Sequence, residues 1–554
     1  MDFQRLFLYV AAMFLGLMVW QTWTQDYGPK PVIEQPIQSG GDFQTQTQAG
    51  SDVPSTPSND VPEIPSAGVK EAPVADAGPG GKLITARTDL LEVTIDTQGG
   101  VIRDVRLLAY PLTKDHPEVP FQLLGQSMSK TYIAQSGLIS DSGKGADHRT
   151  EFHIDGDRFE LGDRDSMTVT MVAEIAPGLV IEKVFEFRRD SYLIDIGHRV
   201  RNSADEKWSG RQYTQLQKTE PSEDEKSAFI YTYDGAAIYS EEEKYEKISY
   251  DDMRSDPLNR VIRGGWAAFI QHYFVGALVP RVDAEHHYYA KRLASGRYSV
   301  GMISEAKTAS SSTGVAEFKV QAFLGPKEQD RMAEASQGLE LSTDYGYLTF
   351  IAQPLFHILS WIHAVVPNWG WAIILLTVLI KLVFFKLSEK SYRSMARMRK
   401  LTPKIQSMKE RYGDDKQRMQ QAMMDMYKKE KVNPLGGCWP MMVQIPVFIA
   451  LYWVLLESVE MRQAPWILWI DDLSTKDPYF VLPLVMGVSM FIQQKLNPAP
   501  PDPVQAKVMM ALPFIFTVFF AFFPSGLVLY WVVNNILSIS QQYVITKRIE
   551  AEDR

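Results

Sequence analysis

The 554-residue chain is long enough for several domains, carries a formal net charge of −9 and is 45% hydrophobic, with the apolar residues concentrated after roughly the first 340 positions. Its single cysteine, Cys438, excludes an intrachain disulfide framework and a cysteine-based structural zinc site, and the acidic balance excludes a general nucleic-acid footprint. No Walker-type Gly-x4-Gly-Lys-Ser/Thr, His-Glu-x-x-His or Gly-x-Ser-x-Gly stretch is present, so neither a bound nucleotide nor a familiar hydrolytic constellation is expected, and no cofactor is implied.

In chain order, Leu6 to Trp23 is a long apolar stretch behind Arg5 with no small-x-small cleavage pattern after it, which predicts a retained transmembrane signal anchor over residues 1–24. Residues 25–81 are rich in Pro, Gly, Ser, Gln and Asp and cannot bury enough apolar surface to offset ordering entropy, so they read as a disordered linker. From Lys82 the pattern turns to strand-like alternation, with Met167, Val169, Met171, Ala173 and Ile175 on one parity and Tyr192, Ile194, Ile196 and Val200 on another. Turn signals such as Gln98-Gly-Gly and Arg189-Asp-Ser separate such runs, and their repetition predicts a large β-sandwich over 82–346, closed by a helical connector at 326–346.

Between residues 347 and 368, Phe350, Ile351, Leu355, Ile358, Leu359, Ile362 and Val366 fall at helical spacing among Trp361, Trp369 and Trp371, and Pro367-Asn368 follows. This suits an amphipathic helix in the membrane interface, a kinked span being the alternative. Apolar segments at about 369–387, 439–459, 479–494, 508–523 and 525–546 come close to the roughly 17 to 25 residues that cross a bilayer, and with the anchor they make six spans. Fourteen Lys and Arg residues crowd 386–432, whereas 460–478 holds only Arg462 and Lys476 among acids. The positive-inside rule then places 386–432 and both termini in the cytoplasm and exports the β-rich segment.

The basic stretch reads as a helical hairpin over 388–432. Tyr392, Met395, Met398, Ile405, Met408 and Tyr412 form one stripe, Gly413 stops that helix, and Asp414-Asp415 caps a second carrying Met419, Met423 and Met426. Such stripes pack two helices together under a solvated basic face, or they offer a flexible, polarizable surface to varied hydrophobic clients. Residues 547–554 form a short tail of mixed charge.

Within the spans, Lys381 is an uncompensated charge, unfavourable by roughly 2.5 to 3.5 kcal/mol on insertion scales unless water, a partner or a substrate meets it. It lies about 9 Å from the cytoplasmic end of its span, at about 1.5 Å per residue, and Gln444 lies at a similar depth in the next. Asn534, Asn535, Ser538, Gln541 and Gln542 recur at spacings of three and four in the last span, and Thr377 sits one turn before Lys381. Two readings stay open. Lys381 snorkels to the headgroups while the amides bond neighbouring helices, or these groups together line a polar hollow open to the cytoplasm.

Asn433-Pro-Leu-Gly-Gly-Cys-Trp-Pro440, Gln444-Ile-Pro446, Glu460-Met-Arg-Gln-Ala-Pro465 and Phe523-Pro-Ser-Gly-Leu-Val-Leu-Tyr530 resemble the membrane protein insertase family that includes bacterial YidC, mitochondrial Oxa and chloroplast Alb. The resemblance implies a multi-domain protein of the Gram-negative inner membrane with six transmembrane helices: an N-terminal anchor and a five-helix insertase core over 369–546. A large periplasmic β-sandwich domain and a cytoplasmic helical hairpin complete it. It further implies a non-enzymatic insertase and chaperone acting through a hydrophilic groove, lined by Lys381, Thr377, Gln444, Trp531, Asn534, Asn535 and Ser538, with hairpin client contacts at Met395, Met398, Met408, Met419 and Met423. Nascent membrane protein chains, the Sec translocon, ribosome–nascent chain complexes and the phospholipid bilayer are the implied partners. The sequence departs from its relatives at Lys381, where Arg is usual, and at Trp531, where Tyr is found. Lys keeps the charge but loses the two-pronged guanidinium, and the short tail leaves ribosome docking through a long basic tail unsupported. An ion-coupled secondary transporter or channel is the alternative class. Against it stand the lack of a clear inverted repeat and of an acidic residue at mid-depth in the last three spans.

Overall fold

The computed structural model describes residues 80–127, 129–222, 232–280, 284–311, 314–412, 415–430, 439–496 and 503–552. The expected anchor at 1–24, the linker up to residue 79 and the Asn433 to Gly437 stretch lie outside the described residues.

Alternating side chains build the first half. In Ser166–Ala176, Met167, Val169, Met171 and Ala173 are buried while the residues between them are exposed. The neighbouring strand Leu179–Arg188 turns Leu179, Ile181, Lys183, Phe185 and Phe187 to the same interior, and Leu193–Asn202 adds Ile194, Ile196, His198 and Val200. Lys183 and His198 stand opposite each other in that ladder. Among the described residues, the strands between Leu83 and Pro326 form an 11-stranded and an 8-stranded sheet, almost wholly antiparallel, with one large apolar core. At the Gln98-Gly-Gly turn Gly99 has φ 74°, and a Cβ there would lie 2.1 Å from the His148 carbonyl oxygen, so only glycine fits.

The connector expected to be helical over 326–346 is helical only at Gln329–Ala335 and continues as 3₁₀ turns at Leu339–Ser342 and Gly346–Leu348. The helix ends at Ser336, whose backbone is extended, and two residues on Gly338, with φ 77° and a Cβ that would come within 2.4 Å of the Tyr239 ring, lets the chain turn close over the sandwich into the 3₁₀ turn.

Beyond the connector the chain is helical: α1 (Thr349–Val365), α2 (Trp369–Val383), α3 (Phe385–Tyr412), α4 (Lys416–Lys429), α5 (Trp439–Glu457), α6 (Val481–Leu496), α7 (Pro503–Phe520) and α8 (Ser525–Glu552). Asn368 caps α2 by accepting from the Trp371 amide at 3.1 Å. The span expected at 369–387 breaks at Phe384, where α3 departs at 64°, so the first hairpin helix starts at Phe385 and not at 388. No proline or glycine stands at the break, and the Phe384 amide still reaches Ile380 O at 3.1 Å.

Among the described residues, only residues 346–365 are by themselves long and apolar enough to cross a bilayer. The α2–α3 pair passes that test as a bent unit, and the apolar parts of α5, α6 and α7 are shorter. Ala352, Phe356 and Leu359 of α1 are buried against the helical core, whereas Phe350 and Trp361 are exposed on its other side. α2, α5, α6 and α8 share that core through Ala372, Ile373, Leu376, Leu451, Val454, Met486, Val528 and Tyr530.

Candidate functional site

The polar groups of the core meet on α8, and the helical period explains how. Asn534, Ser538 and Gln541 lie at steps of four and three on one flank, while Asn535 and Gln542 lie on the adjacent flank. The first flank faces α2, α5 and the start of α3. Lys381 of α2 is 9% exposed and its Nζ donates to Ser538 Oγ at 2.8 Å. Ser538 donates in turn to Asn534 O at 2.7 Å, and Gln444 Nε2 of α5 donates to Asn534 Oδ1 at 3.2 Å. Gln541 Nε2 donates to Phe385 O at 3.3 Å, tying α8 to the break.

The structure thus brings Lys381, Ser538, Asn534 and Gln444 into one hydrogen-bonded cluster. Three other predicted residues are placed differently. Thr377 is buried on the Lys381 face, but its hydroxyl donates to Ile373 O of its own helix at 2.7 Å. Asn535 turns to α6, where its Nδ2 donates to Ser489 Oγ at 3.1 Å, and Ser489 donates onward to Met486 O. Trp531 packs against Phe448 and Phe520, with ring centroids 4.4 and 5.4 Å away, and its indole Nε1 is buried with no hydrogen-bond partner among the described residues.

Ser489 was missed by the sequence reading. Its signal was available, since it is a hydroxyl in the middle of a helix that is otherwise apolar up to Ile492. No carboxylate lies within ion-pair distance of Lys381 among the described residues. Its Nζ thus faces a neutral acceptor, an arrangement that leaves room for an incoming anion.

In the hairpin, Met398, Met408, Met419 and Met423 are half-buried along the facing helices, and the Met395 side chain lies outside the described residues. Met424, not singled out by the pattern, is the most exposed methionine of α4. Lys404 and Glu430 join the two helices at 2.7 Å. On α6 and α7, Leu484, Val488, Phe514, Ile515 and Val518 are exposed, apolar side chains of the kind hydrocarbon covers.

Family models match both halves of the chain: a YidC periplasmic domain over residues 83–358 and a 60Kd inner membrane protein over 361–552. The chain is similar to the membrane protein insertase YidC of Thioalkalivibrio sulfidiphilus, at 50% identity over 99% of both chains, and to that of Nitrosococcus oceani, at 47% over the full length of both. A crystal structure of an active YidC insertase with its first transmembrane domain resolved aligns at 17% identity and a TM-score of 0.39, covering 84% of this chain and 95% of that one. With full-length identity this high and family models matching residues 83–358 and 361–552, the chain belongs to the YidC family of membrane protein insertases, inner-membrane proteins with a large periplasmic β-domain and a helical insertase core.

Proposed function

We propose that this protein inserts nascent inner-membrane proteins by receiving their polar or acidic flank at Lys381, from the cytoplasmic leaflet and without nucleotide hydrolysis. The observation that carries the reading is the inward turn of the Lys381 side chain, whose ammonium bonds Ser538 in place of stretching toward headgroups. Lys381, Ser538, Asn534 and Gln444 form the polar floor, with Asn535 and Thr377 stiffening its walls and Trp531 forming an apolar rim. In this reading an apolar client segment slides past the floor into lipid while its flank is transiently solvated by these groups.

Partitioning supplies the driving force. Twenty Leu-like residues at roughly −0.3 to −0.6 kcal/mol each give about −6 to −12 kcal/mol. An inside-negative potential adds about 2.3 kcal/mol per exported acidic charge per 100 mV. The proposed topology has six spans with both termini cytoplasmic, residues 25–368 periplasmic with 347–368 along the interface, and the Met-rich hairpin (Met395, Met398, Met408, Met419, Met423) meeting clients before they enter. The Sec translocon and ribosome–nascent chain complexes are proposed partners.

Photocrosslinkers at positions 377, 381, 444 and 531, tested against stalled client chains in native membranes, decide the matter. Strong crosslinks from 381 and 444 are expected, with weaker ones from 377. Crosslinks confined to the lipid-facing surface of α6 and α7 would remove the groove from the mechanism.

A further inference from the structure

We infer that the β-domain is a fixed brace for the helical core, held in a single register by a buried ion pair between Lys327 and Glu457, both acting as positioning residues for α5. Lys327 stands one residue beyond the last β-strand and is 1% exposed at its side chain; Glu457 is the last residue of α5 and is 4% exposed. Their Nζ and Oε2 atoms are 3.1 Å apart, and Lys327 also donates to Ser342 O at 3.4 Å.

The pair sits within an interface whose other contacts come from three separate segments of the β-domain. His272 Nε2 donates to Leu456 O at 2.9 Å, one residue from Glu457. The Arg462 guanidinium lies 5.6 Å from both the Phe121 and Phe274 ring centres and donates to Pro111 O and Leu112 O at 2.8 and 3.0 Å. Lys114 pairs with Asp471 at 3.3 Å. Val459, two residues past α5, is buried in the apolar core of the sandwich itself, while Tyr345 of the connector is buried in the helical core and accepts from Gln329.

Each body therefore inserts a side chain into the other. Apolar burial of this kind is strong but non-directional. The ion pair is different, because moving either charge off its partner leaves it buried and uncompensated. That asymmetry makes the pair a registration device: it selects one docking geometry among those that packing alone would accept. Because Glu457 ends the helix that carries Gln444, the selected geometry fixes the lean of α5 and with it the Gln444 to Asn534 bond. This last link rests on the groove proposed above.

The test uses the full-length protein in nanodiscs, in a Cys438→Ser background, with spin labels at exposed Val261 of the β-domain and exposed Leu468 of the outer connection. A narrow distance distribution is expected for the parent. The apolar pair Lys327→Met with Glu457→Met, which leaves no charge unpaired, is expected to remain folded by thermal unfolding yet to broaden the distribution and lose insertion of a test client. The exchanged pair Lys327→Glu with Glu457→Lys is expected to regain both. A parent-like narrow distribution in the apolar pair would overturn the ion pair's role, since packing and the His272, Arg462 and Lys114 contacts would then set the register without it. A broadened distribution with undiminished insertion would overturn the link to α5. Neither result touches the 381 and 444 crosslinks, which judge the groove separately.

Discussion

Lys381 is held by a neutral hydroxyl, and a carboxylate competes for its Nζ with an ion-pair attraction that the hydroxyl lacks. Lys381→Ala is accordingly expected to impair insertion of a short client with an acidic exported tail, while Lys386→Ala, outside the cluster, leaves it intact in the same reconstituted assay. Equal losses at both positions would point to surface charge. A second lysine tests burial itself. Lys183 is wholly enclosed in the sandwich, donating to Gly99 O and Ser136 O at 2.8 Å, and burial pulls its ammonium down to about 7. The folded state then binds fewer protons than the unfolded chain between about pH 7 and the ordinary lysine value of 10.5, so stability rises with pH across that window. Thermal unfolding followed by β-sheet circular dichroism is expected to show this upward slope, and Lys183→Met to flatten it. Lys183 was legible in principle, since it shares the parity of Ile181 and Phe185. Its acceptors were not, because they come from strands brought together only by the fold.

At the level of elements, the helix crossings depend on small residues. A Cβ on Gly487 of α6 would lie 2.0 Å from Thr517 Oγ1 of α7, and that hydroxyl is already committed to Pro513 O at 2.7 Å. Gly487→Val should force the two helices apart and destabilise the core by about 1–3 kcal/mol, the usual range for overpacking. A lower unfolding midpoint in detergent, partly recovered by adding Thr517→Ala, would establish it; no change in midpoint would mean that the crossing is loose. Strand alternation around Met167 and Ile194 could be read directly from the sequence because its period is two and its turns carry Gly or Asp. The 64° break between α2 and α3 could not, for Phe384 and Phe385 carry no breaker signal and the bend is a property of packing. The same holds for the split of the α8 polar set. Spacing shows two flanks, but only the arrangement of neighbours sends Asn534 to Gln444 and Asn535 to Ser489.

For the whole molecule, the division into an exported β-domain and a membrane core followed from composition and basic-residue bias, whereas their mutual docking did not, since Lys327 and Glu457 are 130 positions apart. The core helices also differ sharply in length. α2 has 15 residues and α6 has 16, or about 22 to 24 Å at 1.5 Å per residue, whereas α8 has 28. A typical hydrocarbon layer is about 30 Å deep. With α2 and α6 as spans of the proposed topology, lipids touching them are expected to shorten or tilt to meet them, at a cost of fractions of a kcal/mol per Å of mismatch. On the proposed topology the bilayer is therefore expected to dimple beside these helices, so that a client crossing there meets a lower dielectric barrier than one crossing elsewhere. Proteoliposomes of graded acyl length should reveal this as activity that declines while the bilayer thickens, and activity indifferent to chain length would show that the lipid around these short helices stays flat.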